Sequence, residues 1–267
     1  MRVSRKACWI GVAIGIALLV IWEWVLSPLD RTPGKMLGMT VTRLVGAGIF
    51  LVFLLYLEYR VLHRKKPDRI TWISLVLCFL VCLNNWPWIG LMSRTVRVTG
   101  TPGQLLLLAA ECLCVGLFEE ITFRGVLFLR ILENRRSSVR QIFLCTVVSS
   151  ALFGLIHLVN LFEGAGIGSV LLQIGYSFLI GGMCAILLLR TGNLLVCIFL
   201  HALFDFGGTL ITTLGEGELW DLPTVILTVV LGVLVTAWMV FALRKVSPED
   251  LNRFYDEKAK IDNSQEK

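Results

Sequence analysis

Histidine is scarce in this chain, with three in 267 residues. Charge is scarce too: 16% of residues are charged, against roughly 25% in an average soluble domain. That shortage excludes an ordinary water-soluble globule. A disordered chain is excluded as well, because disorder requires few apolar residues and much charge. No internal repeat is visible, and no stretch between the apolar runs is long enough for a soluble domain. The eight cysteines (Cys8, Cys78, Cys82, Cys112, Cys114, Cys145, Cys184, Cys197) nearly all lie inside apolar runs. None stands in a polar external loop, so there is no disulfide framework. Cys112-x-Cys114 lacks zinc-finger spacing. There is no His-Glu-x-x-His pair and no Gly-x-Ser-x-Gly elbow.

What is present is apolar: 56% of residues are hydrophobic, and the mean hydropathy is +0.79. Most of such a chain has one suitable solvent, the bilayer. The net charge of +6 does not indicate nucleic acid, because the basic residues form short clusters between apolar runs. Spanning stretches are expected at 7–26, 39–60, 70–91, 104–131, 141–162, 168–189, 193–213 and 223–243. The first follows Arg2, Arg5 and Lys6 and is too long for a signal-peptide core. It reads as an uncleaved helix with Trp22 and Trp24 as interfacial anchors. Asn84-Asn85-Trp86-Pro87-Trp88 reads as an interfacial helix end.

Charge orients the array. With the N-terminus inside, 19 of the 25 Lys and Arg fall in inside segments and four in outside loops. The fold class expected is therefore all-α: a polytopic integral membrane bundle of about eight transmembrane helices with both termini cytoplasmic. The divisions are 1–103 for helices one to three, 104–213 for a core of helices four to seven, 214–243 for the last helix, and 244–267 for a polar cytoplasmic tail, read as solvated.

A charge at the bilayer centre costs about 2.5–3.5 kcal/mol. Spans four, five and seven carry Glu111, Glu119, Glu120, Arg124, His157, His201 and Asp205. Elsewhere the charges Glu23, Arg43 and Glu58 are read as lying near span ends. Such a load persists only if the groups face one another or a water-filled cavity. Glu120 and Arg124 are four apart and share a helix face. Glu119 points about 100° away, so Arg124 can neutralise one carboxylate while the other addresses a cavity. His201 and Asp205, and Phe153 and His157, repeat the four-residue spacing. The chemistry these types support is water activation. A carboxylate in a dry pocket can act as general base and then acid. Histidines can orient the water or bind a metal. Glu111 reads as structural or cavity-lining, and Asn160 as a possible pocket residue. Depth is a constraint: at 1.5 Å per residue, His157 is about 24 Å from the start of span five and His201 about 12 Å from the start of span seven. Glu119 is about 16 Å from Arg130 by the same rule, and the three meet only if span five tilts or starts later.

Phe118-Glu119-Glu120-Ile121-Thr122-Phe123-Arg124-Gly125, then Phe153-Gly154-Leu155-Ile156-His157, then His201-Ala202-Leu203-Phe204-Asp205 resemble the three motifs of the CAAX-protease and bacteriocin-processing (Abi) family of intramembrane proteases. The pattern is Glu-Glu-x-x-x-Arg, Phe-x-x-x-His and His-x-x-x-Asn/Asp, in that order on separate helices. The resemblance implies a glutamate-dependent endopeptidase. Its substrate would be a membrane-associated peptide or protein terminus, in CAAX-type processing or bacteriocin maturation and immunity. It implies that Glu119 activates water with His157, that Glu120 and Arg124 hold the pocket, and that His201 and Asp205 line the oxyanion side. It leaves open whether a divalent metal such as zinc is needed, with Glu119, His157 and His201 as candidate ligands. Asp205 stands where the best-studied members have Asn. An ionised Asp only accepts hydrogen bonds, so its role differs from that of Asn. The partners implied are the lipid bilayer and the substrate, with no nucleic acid, and the location is a multi-pass protein of the bacterial cell membrane. The alternatives are a non-proteolytic scaffold or peptide-resistance protein of the same family and, third, an ion-coupled transporter, for which inverted repeats and broken helices are the expected marks.

Overall fold

The computed structural model describes residues 33–62, 66–162, 164–217 and 222–255. The expected first span, with Trp22, Glu23 and Trp24, lies outside the described residues, as does His63. The described chain is almost wholly helical. In order it forms α1 (Pro33–Tyr56), α2 (Arg69–Asn84), the short α3 (Trp88–Ser93) and α4 (Pro102–Glu120). A π-helix (Ile121–Phe128) and α5 (Leu129–Leu132) continue α4 as one rod. Then come α6 (Val139–Leu155), a 3₁₀ turn (Ile156–Leu161), α7 (Ile167–Thr191), α8 (Leu194–Leu214) and α9 (Leu222–Arg244). A last 3₁₀ turn covers Glu249–Phe254.

Local chemistry sets several of these starts and stops. Thr101 opens α4 with a capping box, its hydroxyl accepting from the Gln104 amide while the Gln104 side chain accepts from Thr101, and Pro102 follows at the first helical position. Asp68 caps α2 by accepting from the Thr71 amide at 2.8 Å. Gly192 takes a positive φ of 69°, which lets α7 end and α8 begin within two residues. Asn193 then caps α8 by accepting from the Leu195 amide at 3.0 Å.

Five helices among the described residues are long and apolar enough to cross a membrane: Met36–Tyr56, Val139–Leu161, Ile167–Thr191, Leu194–Leu214 and Leu222–Arg244. The expected total of about eight also counted 70–91 and 104–131. The first of these is a 16-residue helix that turns at Asn85–Pro87. The second is the rod interrupted by the π-helix. That rod is the axis of the bundle. Every residue of the π-helix is buried, Thr122 and Arg124 included. It packs against α1, α6, α7 and α8.

Close approach brings functional helices together. A Cβ at Gly116 would stand 2.9 Å from the Ile198 carbonyl oxygen, so glycine there lets α4 and α8 touch backbone to backbone, the small-residue mode of membrane packing. The two ends of the bundle differ. At one end Arg97 and Glu216 pair through a two-residue antiparallel strand contact and an ion pair. At the other, basic and aromatic side chains gather the chain after α9. Val246, Leu251, Phe254 and Tyr255 are buried there. The Tyr255 hydroxyl donates to the Leu129 carbonyl, and Arg136 stacks over its ring. Expected as a solvated tail, the segment as far as Tyr255 instead docks on the core. Its apolar side chains are few, but each is buried.

Candidate active site

Glu119 and Glu120 end α4 at the point where the π-helix begins, and π-bulges concentrate at functional sites. Glu120 is fully buried, and its Oε1 meets two groups: Arg124 Nη1 at 2.9 Å and His201 Nδ1 at 2.7 Å. A carboxylate accepts, so Nδ1 of His201 carries the proton and donates. The other ring nitrogen, Nε2, lies 3.5 Å from Glu119 Oε2 and 3.4 Å from Asp205 Oδ2. His201 therefore links the three carboxylates. The carboxylates are not equivalent: the Glu120 side chain is 0% exposed, Glu119 14% and Asp205 25%. A substrate can reach the second and third, not the first.

Phe153 ties the remaining groups together. Its ring lies under the Arg124 guanidinium at 4.1 Å and edge-on to His201 at 5.8 Å, to His157 at 5.5 Å and to Phe123 at 4.9 Å. Gly181 on α7 leaves room for this pair: a Cβ there would stand 3.2 Å from Arg124 Nη2 and 3.2 Å from a Phe153 ring carbon. His157 Nδ1 bonds the Phe153 carbonyl oxygen at 3.0 Å. A carbonyl only accepts, so Nδ1 again carries the proton, and Nε2 is left as the basic nitrogen. Among the described residues no hydrogen bond joins His157 to Glu119 or His201. Phe153 contacts Arg124 and His201, and His157 lies four residues further on, in the 3₁₀ segment, so Phe153 is the link between the two histidines. Asn160, further along, donates to Gln173 at 2.7 Å.

Four groups near the cluster escaped the sequence reading. Arg43, placed near a span end, stands inside α1, its guanidinium over the Phe118 ring at 5.2 Å and in electrostatic range of Asp205. A charge ten residues into an apolar helix was the signal for it. Tyr176 on α7 is in electrostatic range of Asp205 and Glu119, and nothing in its sequence context marks it. Asn85 and Trp86 donate to the Phe204 and Leu203 carbonyls of α8. The helix end at Asn84 is thus tied to the strand of backbone that carries His201 and Asp205. Glu111 is half-buried, two turns and more before Glu119.

Glu119, His157 and His201 do not converge as one ligand group. Among the described residues, the group whose ligand atoms all lie within 4.8 Å of one another is Glu120, Cys184 and Cys197.

Residues 101–207 match the family described as type II CAAX prenyl endopeptidase Rce1-like. The match starts at the Thr101 cap and ends six residues past His201, so it covers every residue of the cluster. No curated protein and no solved structure matches the chain. The protein is thus an integral membrane protein whose 101–207 segment is similar to the type II CAAX prenyl endopeptidase Rce1-like family of proteases.

Proposed function

We propose that the protein is a glutamate-dependent endopeptidase that hydrolyses a peptide bond of a membrane-associated peptide or protein terminus. The single observation that supports this reading best is the bridging position of His201 between one sealed carboxylate and two reachable ones. Glu119 takes a proton from water, and the hydroxide adds to the scissile carbonyl carbon. His157, with Nε2 free, orients that water. The oxyanion side is His201 with Asp205: Nε2–H of a protonated His201, balanced by Asp205, donates to the developing charge. The proton held by Glu119 passes to the leaving amine as the C–N bond breaks. Glu120, Arg124 and Phe153 fix the imidazole. No step requires a metal. Processing of the CAAX type and bacteriocin maturation are the two substrate settings the motifs suggest. The clustering of Arg130, Arg136, Arg190 and Arg253 at one end supports a cytoplasmic placement of that end in a bacterial cell membrane.

The test is comparative peptidomics of membranes from cells holding the wild type, the Glu119→Gln variant or neither. Peptides that appear only with the wild type support the reading. The same peptides from Glu119→Gln cells would overturn it and leave a non-proteolytic scaffold.

A further inference from the structure

Seven cysteines are buried among the described residues. Most behave as small apolar fillers, the ordinary use of a buried thiol. Cys184 on α7 and Cys197 on α8 differ, because a charged carboxylate lies against them. Both are fully buried, and Cys197 Sγ donates to the Cys184 carbonyl at 3.2 Å. Their sulfurs and a carboxylate oxygen of Glu120 lie within 4.8 Å of one another. The Glu120 carboxylate is also short of partners. Oε1 takes Arg124 and His201, whereas Oε2 is buried with no hydrogen-bond partner among the described residues. A buried charged oxygen without a partner is costly, and a native structure keeps one where something else satisfies it.

We propose that Glu120 Oε2, Cys184 Sγ and Cys197 Sγ form a binding site for one thiophilic divalent ion of the zinc class. Two sulfurs bound to one tetrahedral ion at the usual Zn–S distance of about 2.3 Å stand about 3.8 Å apart. The ligand atoms here lie within 4.8 Å of one another, so the sulfurs must close by about 1 Å or less to coordinate one ion. The donor set suits the ion: two soft thiolates and one carboxylate select zinc over magnesium or calcium. Charge also balances. On binding, each thiol loses its proton, so two thiolates and one carboxylate carry three negative charges. The ion supplies two positive charges and Arg124 the third. The site is thus neutral with the ion bound, as an intramembrane site must be. It is equally neutral without the ion, with protonated thiols and the Glu120–Arg124 pair. The ion would join the π-helix junction, α7 and α8 behind the imidazole of His201, leaving Oε1 to Arg124 and His201. This site is separate from water activation at Glu119 and does not depend on the protease reading.

The test uses the full chain in lipid nanodiscs, stripped of metal and titrated with cobalt(II). We expect one ion per chain and a near-ultraviolet thiolate-to-cobalt charge-transfer band. Cys184→Ala and Cys197→Ala should each remove the band, whereas Cys82→Ala should keep it. Glu120→Gln should weaken cobalt binding at least about tenfold, the floor set by losing even an outer-shell partner. Zinc should displace cobalt and raise the unfolding temperature of the wild type but not of Cys184→Ala. A wild type without the band overturns the site whatever the variants do. So does a band that survives in the Cys184→Ala/Cys197→Ala double variant.

Discussion

Two arginines are buried inside helices of this protein and are held in opposite ways. Arg190, at the end of α7, has both Nη groups hydrogen-bonded, and only its Nε is without a hydrogen-bond partner among the described residues. Its Nη2 reaches both oxygens of Asp68 at 2.6 Å, and its Nη1 donates to the Lys245 carbonyl. Arg124, in the π-helix, meets Glu120 as an ion pair and stacks on Phe153, but its Nη2 finds no hydrogen-bond partner among the described residues. Asp68 is 59% exposed, whereas Glu120 is sealed. The first arginine closes an end of the bundle where water helps to solvate the pair. The second sits where nothing else does, beside His201. Incompletely satisfied polar networks in a native core mark a place kept for another purpose.

The sharpest way to break that contrast is at the reacting end of the Arg124 cluster. Glu119→Gln is expected to lower peptide cleavage by roughly 10²–10⁴-fold, the usual worth of a general base. The unfolding temperature should change little, because Glu119 is partly exposed and is held only through His201. Cleavage within a few-fold of wild type would detach Glu119 from the chemistry.

Next in size is the arginine itself. Arg124→Met leaves Glu120 buried without its cation, which costs about 3–5 kcal/mol. Arg190→Met leaves Asp68 free to turn to water, and the loss should be about 1 kcal/mol, as for exposed pairs. Denaturation in matched detergent measures both. Equal losses would erase the distinction between the two arginines. A smaller effect tests the wall behind Arg124. An added methyl at Gly181 would stand 3.2 Å from both Arg124 Nη2 and a Phe153 ring carbon. Gly181→Ala is therefore expected to cost about 1–3 kcal/mol through overpacking. A neutral substitution there would mean that the guanidinium moves freely.

How much of this was legible beforehand follows from period and geometry. The pairing of Glu120 with Arg124, and the different direction of Glu119, are consequences of 3.6 residues per turn, and both distances and exposures agree with them. The proximity of His201 to Asp205 has the same origin. Depth was harder, because a π-helix and a 3₁₀ turn change rise and direction without any residue signature. That is why Phe153, and not His157, touches His201. Contacts between distant helices were out of reach altogether: Arg43 over Phe118, and Cys184 and Cys197 against Glu120. The segment after α9 was misread for another reason. Four buried side chains spread over ten polar-rich residues do not raise local hydropathy, yet each fills a place in the core.

The finest test of the contrast is pH. At the bundle end, burial acts to raise the Asp68 carboxyl, but hydrogen bonds from Thr71 and Arg190, together with the Arg190 charge, outweigh it and hold the group well below the usual carboxylate range. A carboxyl lowered in the folded state adds stability above its unfolded pKa of about 3.9 and loses it as pH falls through the folded value. Asp68→Asn removes the charge but keeps a residue that caps helices well, so it isolates the ion pair. At neutral pH the wild type should be the more stable by about 1 kcal/mol, a figure discounted for the exposure of Asp68. That margin should hold down to about pH 4 and then shrink with further acidification, because protonated Asp68 no longer differs in charge from Asn. A margin that stays constant through the acid range would assign the contribution of Asp68 to its cap on α2 alone. Arg190 would then be held by the Lys245 carbonyl rather than by charge, and the difference between the two arginines would rest on Arg124 only.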